Sequence, residues 1–393
     1  MSENNTLHIL FASRLVYEKW ADILMESIDQ YFSWAFPYQI IWHICSDWPY
    51  KDEILDRVKK FPSWVIYHGI LDQAHLATLC REVDFLFMPS RFLETFGLTA
   101  LESLACNTPV IAFSKGWLIP FVPPEYSLDV ESPVESFFAI LSQWYTPSRK
   151  RRDLSQYSSA YWEKRLDHFF PHNTSVILLH DYSEKIGWAE YYVSHVEVSL
   201  WKSWHSVTRY GYTGKTTPWK RRWMFIFSLF AFWRGASVSN LLKRVHPEAI
   251  WMHSIQRYIG FWWVYAAMKY ARNTGAKVYL SHHDVGLMAP FPQDVTEEAD
   301  MPSNRSLCSF IGWVWFFRKI LAMGKYFYIY LLRSNFPKHI EHIIFAPFLE
   351  RHIHSHFPWD TISLFPHSFD EDIFYPQDES ESHHHTAIVL SGL

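Results

Sequence analysis

VIYHGILDQAHLATLCREVDFLFMPSRFLETFGLTALESLACNTPVIAFS, residues 65–114, alternates two kinds of pattern. Three short apolar runs, within WVIYHGI (64–70), VDFLFMPS (83–90) and TPVIAFS (108–114), have the length of buried strands. Between them, residues 72–82 and 97–106 carry apolar side chains at helical spacing. This alternation predicts strand–helix–strand units and a parallel sheet. Working outward adds strands at HILFAS (8–13) and YQIIWHICS (38–46), with helices over 17–32 and 51–60. Several of these helices open with acidic residues, which the positive end of the helix dipole favours. Residues 1–148 therefore read as one doubly wound α/β domain.

Beyond it, RKRRD (149–153) opens an amphipathic stretch that ends at Pro171, read as a connecting helix over 149–172. The alternation then restarts with SVILLHDY (175–182), HSVTRYGY (205–212), AIWMHS (249–254), KVYLSHHD (277–284), HIIFAPF (342–348) and TISLFPHSF (361–369). A second α/β domain follows over 173–375. Two domains also suit a chain of 393 residues, since single domains run to about 100–200. Residues 376–393 combine a polar linker containing HHH (383–385) with AIVLSGL (387–393), which repeats the strand character of HILFASRL. Three His on a polar linker are too few fixed ligands for a metal site.

Charged residues make up 19% and hydrophobic ones 49%, which excludes a disordered polymer. Lys plus Arg (36) against Asp plus Glu (40) leaves a net charge of −4, so no global positive field points to nucleic acid. The opening residues lack a secretory pattern, and cytoplasmic location is the expectation. The four cysteines are dispersed and read as buried thiols. Two aromatic-rich segments, 219–235 and 308–336, are interrupted by basic residues, against the roughly 20 clean apolar residues of a membrane span. Core helices are the favoured reading, and peripheral docking on an anionic bilayer is the alternative.

The chemistry concentrates in 89–114. Glu94 and Glu102 are separated by seven residues, with Phe96, Gly97, Leu98 and Thr99 leading into a helix. Free N–H groups and the dipole at that helix start suit a phosphate, and carboxylates suit sugar hydroxyls. For an arbitrary pair, a helix cap and a solvated face would be the better reading.

The phrase ETFGLTALESLACNTPVIA resembles the retaining glycosyltransferases of family 4, or group 1, whose C-terminal domain carries a Glu, seven residues, Glu element. ILFASRLVYEKW (9–20) and VIYHGILDQAHLATLCREVDFLFMPS (65–90) extend the likeness. The resemblance implies a GT-B fold, two Rossmann-like parallel-sheet domains facing a cleft. It also implies transfer of a sugar from a nucleoside diphosphate sugar to a glycan or lipid-linked acceptor, with retention and no metal or other cofactor. Arg14 and Lys19 would hold the diphosphate, Glu94 would lie by the donor sugar, Glu102 would bind the ribose, and the Phe96–Thr99 backbone would offer N–H groups. The second domain resembles the family's N-terminal half. There Gly187 and Trp188 would lie on the acceptor-side loop, and His283, followed by Asp284, would sit near the reacting centre; His253 is a weaker candidate. An inactive glycan-binding or scaffold protein, or a nucleotide-sugar hydrolase or phosphorylase, is the competing reading.

Two features depart from that family. The donor-type half comes first, as in a circular permutation or the middle of tandem enzymes. In addition, Trp20, Trp48, Trp117 and Trp188 stand where the family has glycine, and Trp204 is similar. The chain has 20 Trp and only 13 Gly, where average usage gives roughly 27 Gly. If UGA encodes glycine in the source and was read as tryptophan, both counts follow.

Overall fold

The computed structural model describes residues 6–13, 21–45, 50–90, 93–94, 96–143, 152–182, 188–212, 231–253, 260–283, 323–324, 327–331, 333–334 and 340–376. The chain forms two compact units, Met1–Ser159 with Ser368–Leu393, and Ala160–His367.

The first unit holds strands β1 (Thr6–Ala12), β2 (Gln39–Cys45), β3 (Val65–Gly69), β4 (Phe85–Met88) and β5 (Val110–Ala112). Helices α1 (Ala21–Ser33), α2 (Lys51–Lys60), α3 (Gln73–Glu82), α4 (Leu98–Ala105) and α5 (Pro133–Gln143) connect or follow them. The strands pair in parallel in the order β3-β2-β1-β4-β5. Every residue of β4 is buried, which is what a central strand covered on both faces requires. Trp42 and Phe87 meet Phe137 of α5 at ring separations of 5.6 and 4.3 Å, and all three are fully buried. Each such side chain contributes about 1.5–3 kcal/mol by leaving water. α3 begins where the Asp72 carboxylate accepts from His75 N at 2.9 Å, an N-cap bond.

α6 (Ser159–Phe169) begins on the last residue of the first unit's main segment, leads into the second unit and ends shortly before Pro171. The second unit continues with β6 (Ser175–Tyr182), α7 (Trp188–Lys202), β7 (Ser206–Tyr212), α8 (Phe232–Val245), β8 (Ala249–His253), α9 (Gly260–Thr274), β9 (Lys277–His282), β10 (Glu341–Ile344), α10 (Phe348–His356) and β11 (Thr361–Leu364). The parallel order is β7-β6-β8-β9-β10-β11. α8 and α9 cover the sheet over a core that includes Ile177, Leu179, Leu242, Ile250, Met252 and Val264.

Both units are thus doubly wound α/β folds, and the strands read from the sequence are present in both. The division between the units differs from boundaries at 148 and 375. The backbone N–H of Ser159 donates to Phe369 O at 3.1 Å, and that of Phe369 to Tyr157 O at 2.9 Å. Arg81 donates to Ile373 O at 3.0 Å and lies over the Tyr375 ring. These bonds tie the segment after His367 to the first unit. AIVLSGL, HHH and most of the two aromatic-rich segments lie outside the described residues. Among the described residues no helix is long and apolar enough to cross a membrane.

Candidate functional site

In a parallel sheet, ligands bind beyond the carboxyl ends of the strands, where the winding reverses. In the first unit that point lies between β1 and β4, which pair directly. Glu94 and the start of α4 follow β4. Arg14 and Lys19 follow β1 in sequence and lie outside the described residues.

Gly97 is the N-cap of α4, left-handed with φ 69° and ψ 51°, and no side chain caps the helix. An alanine there would take a strained φ and bring Cβ to 3.1 Å from Leu118 Cδ2. The first N–H groups of α4, at Leu98 and Thr99, therefore receive no side-chain cap, the condition under which a helix start takes an anion. Glu94 is buried in the preceding loop, and its carbonyl accepts from Trp117 N at 3.1 Å. Phe96 is buried against the Trp117 ring, 4.3 Å away.

Glu102 sits one turn into α4 and is 1% exposed. Its Oε2 has no hydrogen-bond partner among the described residues. Burial raises its pKa to about 8, so the carboxyl is largely protonated at neutral pH. An unpaired carboxyl oxygen inside a fold is costly, and a ligand hydroxyl would relieve that cost. Ser90 Oγ, at the end of β4, is buried and unpartnered in the same way. The sequence reading did not single it out.

The second unit gathers imidazoles at the carboxyl ends of its strands. His180 of β6 pairs in register with His253 of β8, beside the point where the order reverses. His253 Nδ1 lies 3.3 Å from His283 Nε2. Tyr192 of α7 packs on three of these rings, with centroids 5.8 Å from His253, 5.1 Å from His283 and 4.4 Å from His367. His180 and His253 are fully buried, and His283 and His367 are mostly buried. His253 Nε2 and Tyr192 Oη are buried without hydrogen-bond partners among the described residues. Burial pushes His180 and His283 down to about 3, so both are neutral at pH 7. Nearby charge adds to this, from Arg209 on His180 and from His180 on His283. Neutral imidazoles can donate and accept hydrogen bonds to sugar hydroxyls.

The structure thus brings His253 and His283 together and adds His180, Tyr192 and His367, which the sequence reading passed over. The signal was present: SVILLHDY, AIWMHS and KVYLSHHD each place histidine near the strand's end. Gly187 and Asp284 lie outside the described residues, and Trp188 is the first residue of α7. Among the described residues no three His, Cys, Asp or Glu side chains gather as metal ligands would.

Residues 6–124 match the family described as glycosyl transferases group 1. A D-inositol 3-phosphate glycosyltransferase of Paenarthrobacter aurescens is 32% identical over 115 residues, covering 28% of this chain and 27% of that protein. An alpha-monoglucosyldiacylglycerol synthase of Streptococcus pneumoniae is 29% identical over 112 residues, covering 28% and 25%. The chain therefore spans about a quarter of the length of these relatives. Anabaena Alr3699/HepE, solved in complex with UDP and glucose, superposes with a TM-score of 0.31 at 19% identity, over 37% of this chain and 41% of that one.

Proposed function

We propose that the chain is a retaining glycosyltransferase of family 4 type that moves a sugar from a nucleoside diphosphate sugar to an acceptor hydroxyl. The observation that carries this is Glu102. Its buried carboxyl, with Oε2 unpartnered among the described residues, stands one turn inside an uncapped helix start, at the winding reversal of a sheet whose sequence matches group 1 glycosyl transferases. The helix N–H groups would take phosphate oxygens, and Glu102 would accept from the ribose hydroxyls. Glu94 would lie by the donor sugar.

In the reaction, the bond between the anomeric carbon and the diphosphate oxygen breaks, and the electron pair leaves with the nucleoside diphosphate. Arg14, Lys19 and the start of α4 would meet that negative charge in place of a metal ion. The acceptor oxygen then bonds to the same face of the anomeric carbon and passes its proton to the departing phosphate, so configuration is retained. The acceptor is assigned to the second unit, where His283 and its neighbours offer neutral hydrogen-bonding rings. A glycan or lipid-linked acceptor is proposed because one similar protein is named for a diacylglycerol lipid. The GT-B architecture, with the donor-type half first, is part of the same proposal, as is cytoplasmic location with peripheral contact at the inner face of the membrane.

Titrating the chain, produced in its own host, with UDP, GDP and ADP sugars tests this. One of the three should bind, and Glu102→Ala should weaken it roughly ten- to a hundredfold, the loss of one hydrogen bond to a charged group. Binding of none favours an inactive scaffold. Hydrolysis without transfer to any acceptor favours a nucleotide-sugar hydrolase.

A further inference from the structure

Trp204 stands just beyond α7 with φ at +65° and 82% of its surface exposed. Its N–H donates to Trp201 O at 3.0 Å, and His205 N donates to Leu200 O at 3.0 Å. The second bond, reaching back five residues, closes a helix through a left-handed residue, and that residue is usually glycine. Among the described residues, the other non-glycine positions at positive φ are Asn107, Asn173 and His246, types that tolerate the conformation, whereas a bulky side chain there is an outlier. The exposed indole gains little burial to offset the strain, although tryptophan is on average well buried.

Position 117 is assigned from the motif rather than from strain, because the backbone constraint there falls on its neighbour. Gly116 has φ of +58°, and a Cβ on it would lie 2.9 Å from Glu94 O. The next residue, Trp117, is buried, with its ring 4.3 Å from Phe96 and 4.1 Å from Phe121. Trp42 and Trp251 instead lie inside strands, away from the motif positions. Trp42 is wholly buried in the middle of β2. Trp251 is 2% exposed in β8, and its Nε1 donates to Ser281 Oγ at 2.8 Å. Composition agrees with a mixture, because the shortfall of roughly 14 glycines against average usage fits within 20 tryptophans.

We infer that the native chain carries glycine at 204, and at the motif positions 20, 48, 117 and 188, through UGA codons read as glycine in its source. Tryptophan is native at 42 and 251. One consequence rests on the donor-site reading above: glycine at 117 opens space beside Glu94 for the donor sugar, and the tryptophan-bearing chain is blocked there.

The gene's codons and the peptide masses of protein purified from its source decide the inference without reference to activity. UGA at 20, 48, 117, 188 and 204, UGG at 42 and 251, and a peptide spanning 204 lighter by the tryptophan–glycine difference are expected. UGG at 117 and 204 overturns it. In recombinant tryptophan-bearing chain, Trp204→Gly should raise the unfolding midpoint by about 2–4 °C for a unit of this size, while Trp251→Gly lowers it. A fall with Trp204→Gly contradicts the strain argument. Trp117→Gly should raise nucleotide-sugar affinity at least tenfold. If the codons are UGA and affinity does not rise, the recoding stands and the donor reading at 117 fails.

Discussion

On the proposed reading, Glu102 is the residue on which binding and stability meet. A carboxyl whose folded pKa is raised holds its proton more tightly in the native state. Its contribution is complete at acid pH and is lost as pH rises from 4.5 to about 8. Glu102→Gln should therefore flatten the stability profile over that window, as read by denaturant titrations at successive pH values; an unchanged profile would place the carboxyl in water. Ribose hydroxyls donate to the ionised form, so nucleotide binding at pH 7 should release a proton from Glu102. Calorimetry in buffers of different ionisation enthalpy would detect that proton, and its absence would show the ribose elsewhere. The histidines have the opposite sign. His180 and His283 have pKa values lowered from 6.5 to about 3, so the stability held by their neutral rings is present above 6.5 and is lost as pH falls. His180→Gln should reduce the slope of unfolding free energy between pH 6 and 4 by about 1.4 kcal/mol per pH unit, one proton's worth. A slope that stays the same would contradict the buried, neutral assignment.

At the scale of elements, the loop before α4 depends on backbone approach. Gly116→Ala combines a left-handed φ with a Cβ 2.9 Å from the fixed Glu94 carbonyl, whereas Gly69→Ala meets the same φ with open space around it. Gly69→Ala should cost about 1–2 kcal/mol. Gly116→Ala should cost more and also weaken nucleotide binding; equal costs by chemical denaturation would show that the loop yields. The strands and the helices of the first unit were legible because apolar runs alternate with helical spacing, and observed ends such as Val110–Ala112 fall inside the expected TPVIAFS. Glu94, Phe96, Gly97 and Glu102 were legible as one motif. The histidine cluster was not, because His180, His253 and His283 come together only through the order β6-β8-β9, and a one-dimensional pattern does not specify strand neighbours. Tyr192 and His367 reach the cluster from a helix and a loop, with no spacing rule to mark them.

For the whole molecule, the sequence showed two α/β units but not where the chain crosses between them. Residues 368–376 follow a strand of the second unit, yet their hydrogen bonds go to the first. Glu371 Oε2 accepts from Ser159 N at 2.7 Å and from Ser159 Oγ at 2.5 Å, and Arg81 holds Ile373 O. Arg81→Ala should destabilise the first unit by about 1–2 kcal/mol and speed proteolysis within 368–376; unaltered cleavage would mean the segment is held by other contacts. The central claim is that the first unit's winding reversal holds a nucleoside diphosphate. Its most direct test is a diffraction structure of the chain produced in its own host, bound to whichever of UDP, GDP or ADP the titration selects. Phosphate oxygens on the Leu98 and Thr99 amides, with the ribose hydroxyls on Glu102, are the predicted result. A nucleotide bound away from α4, with Glu102 still unpartnered, would contradict the account.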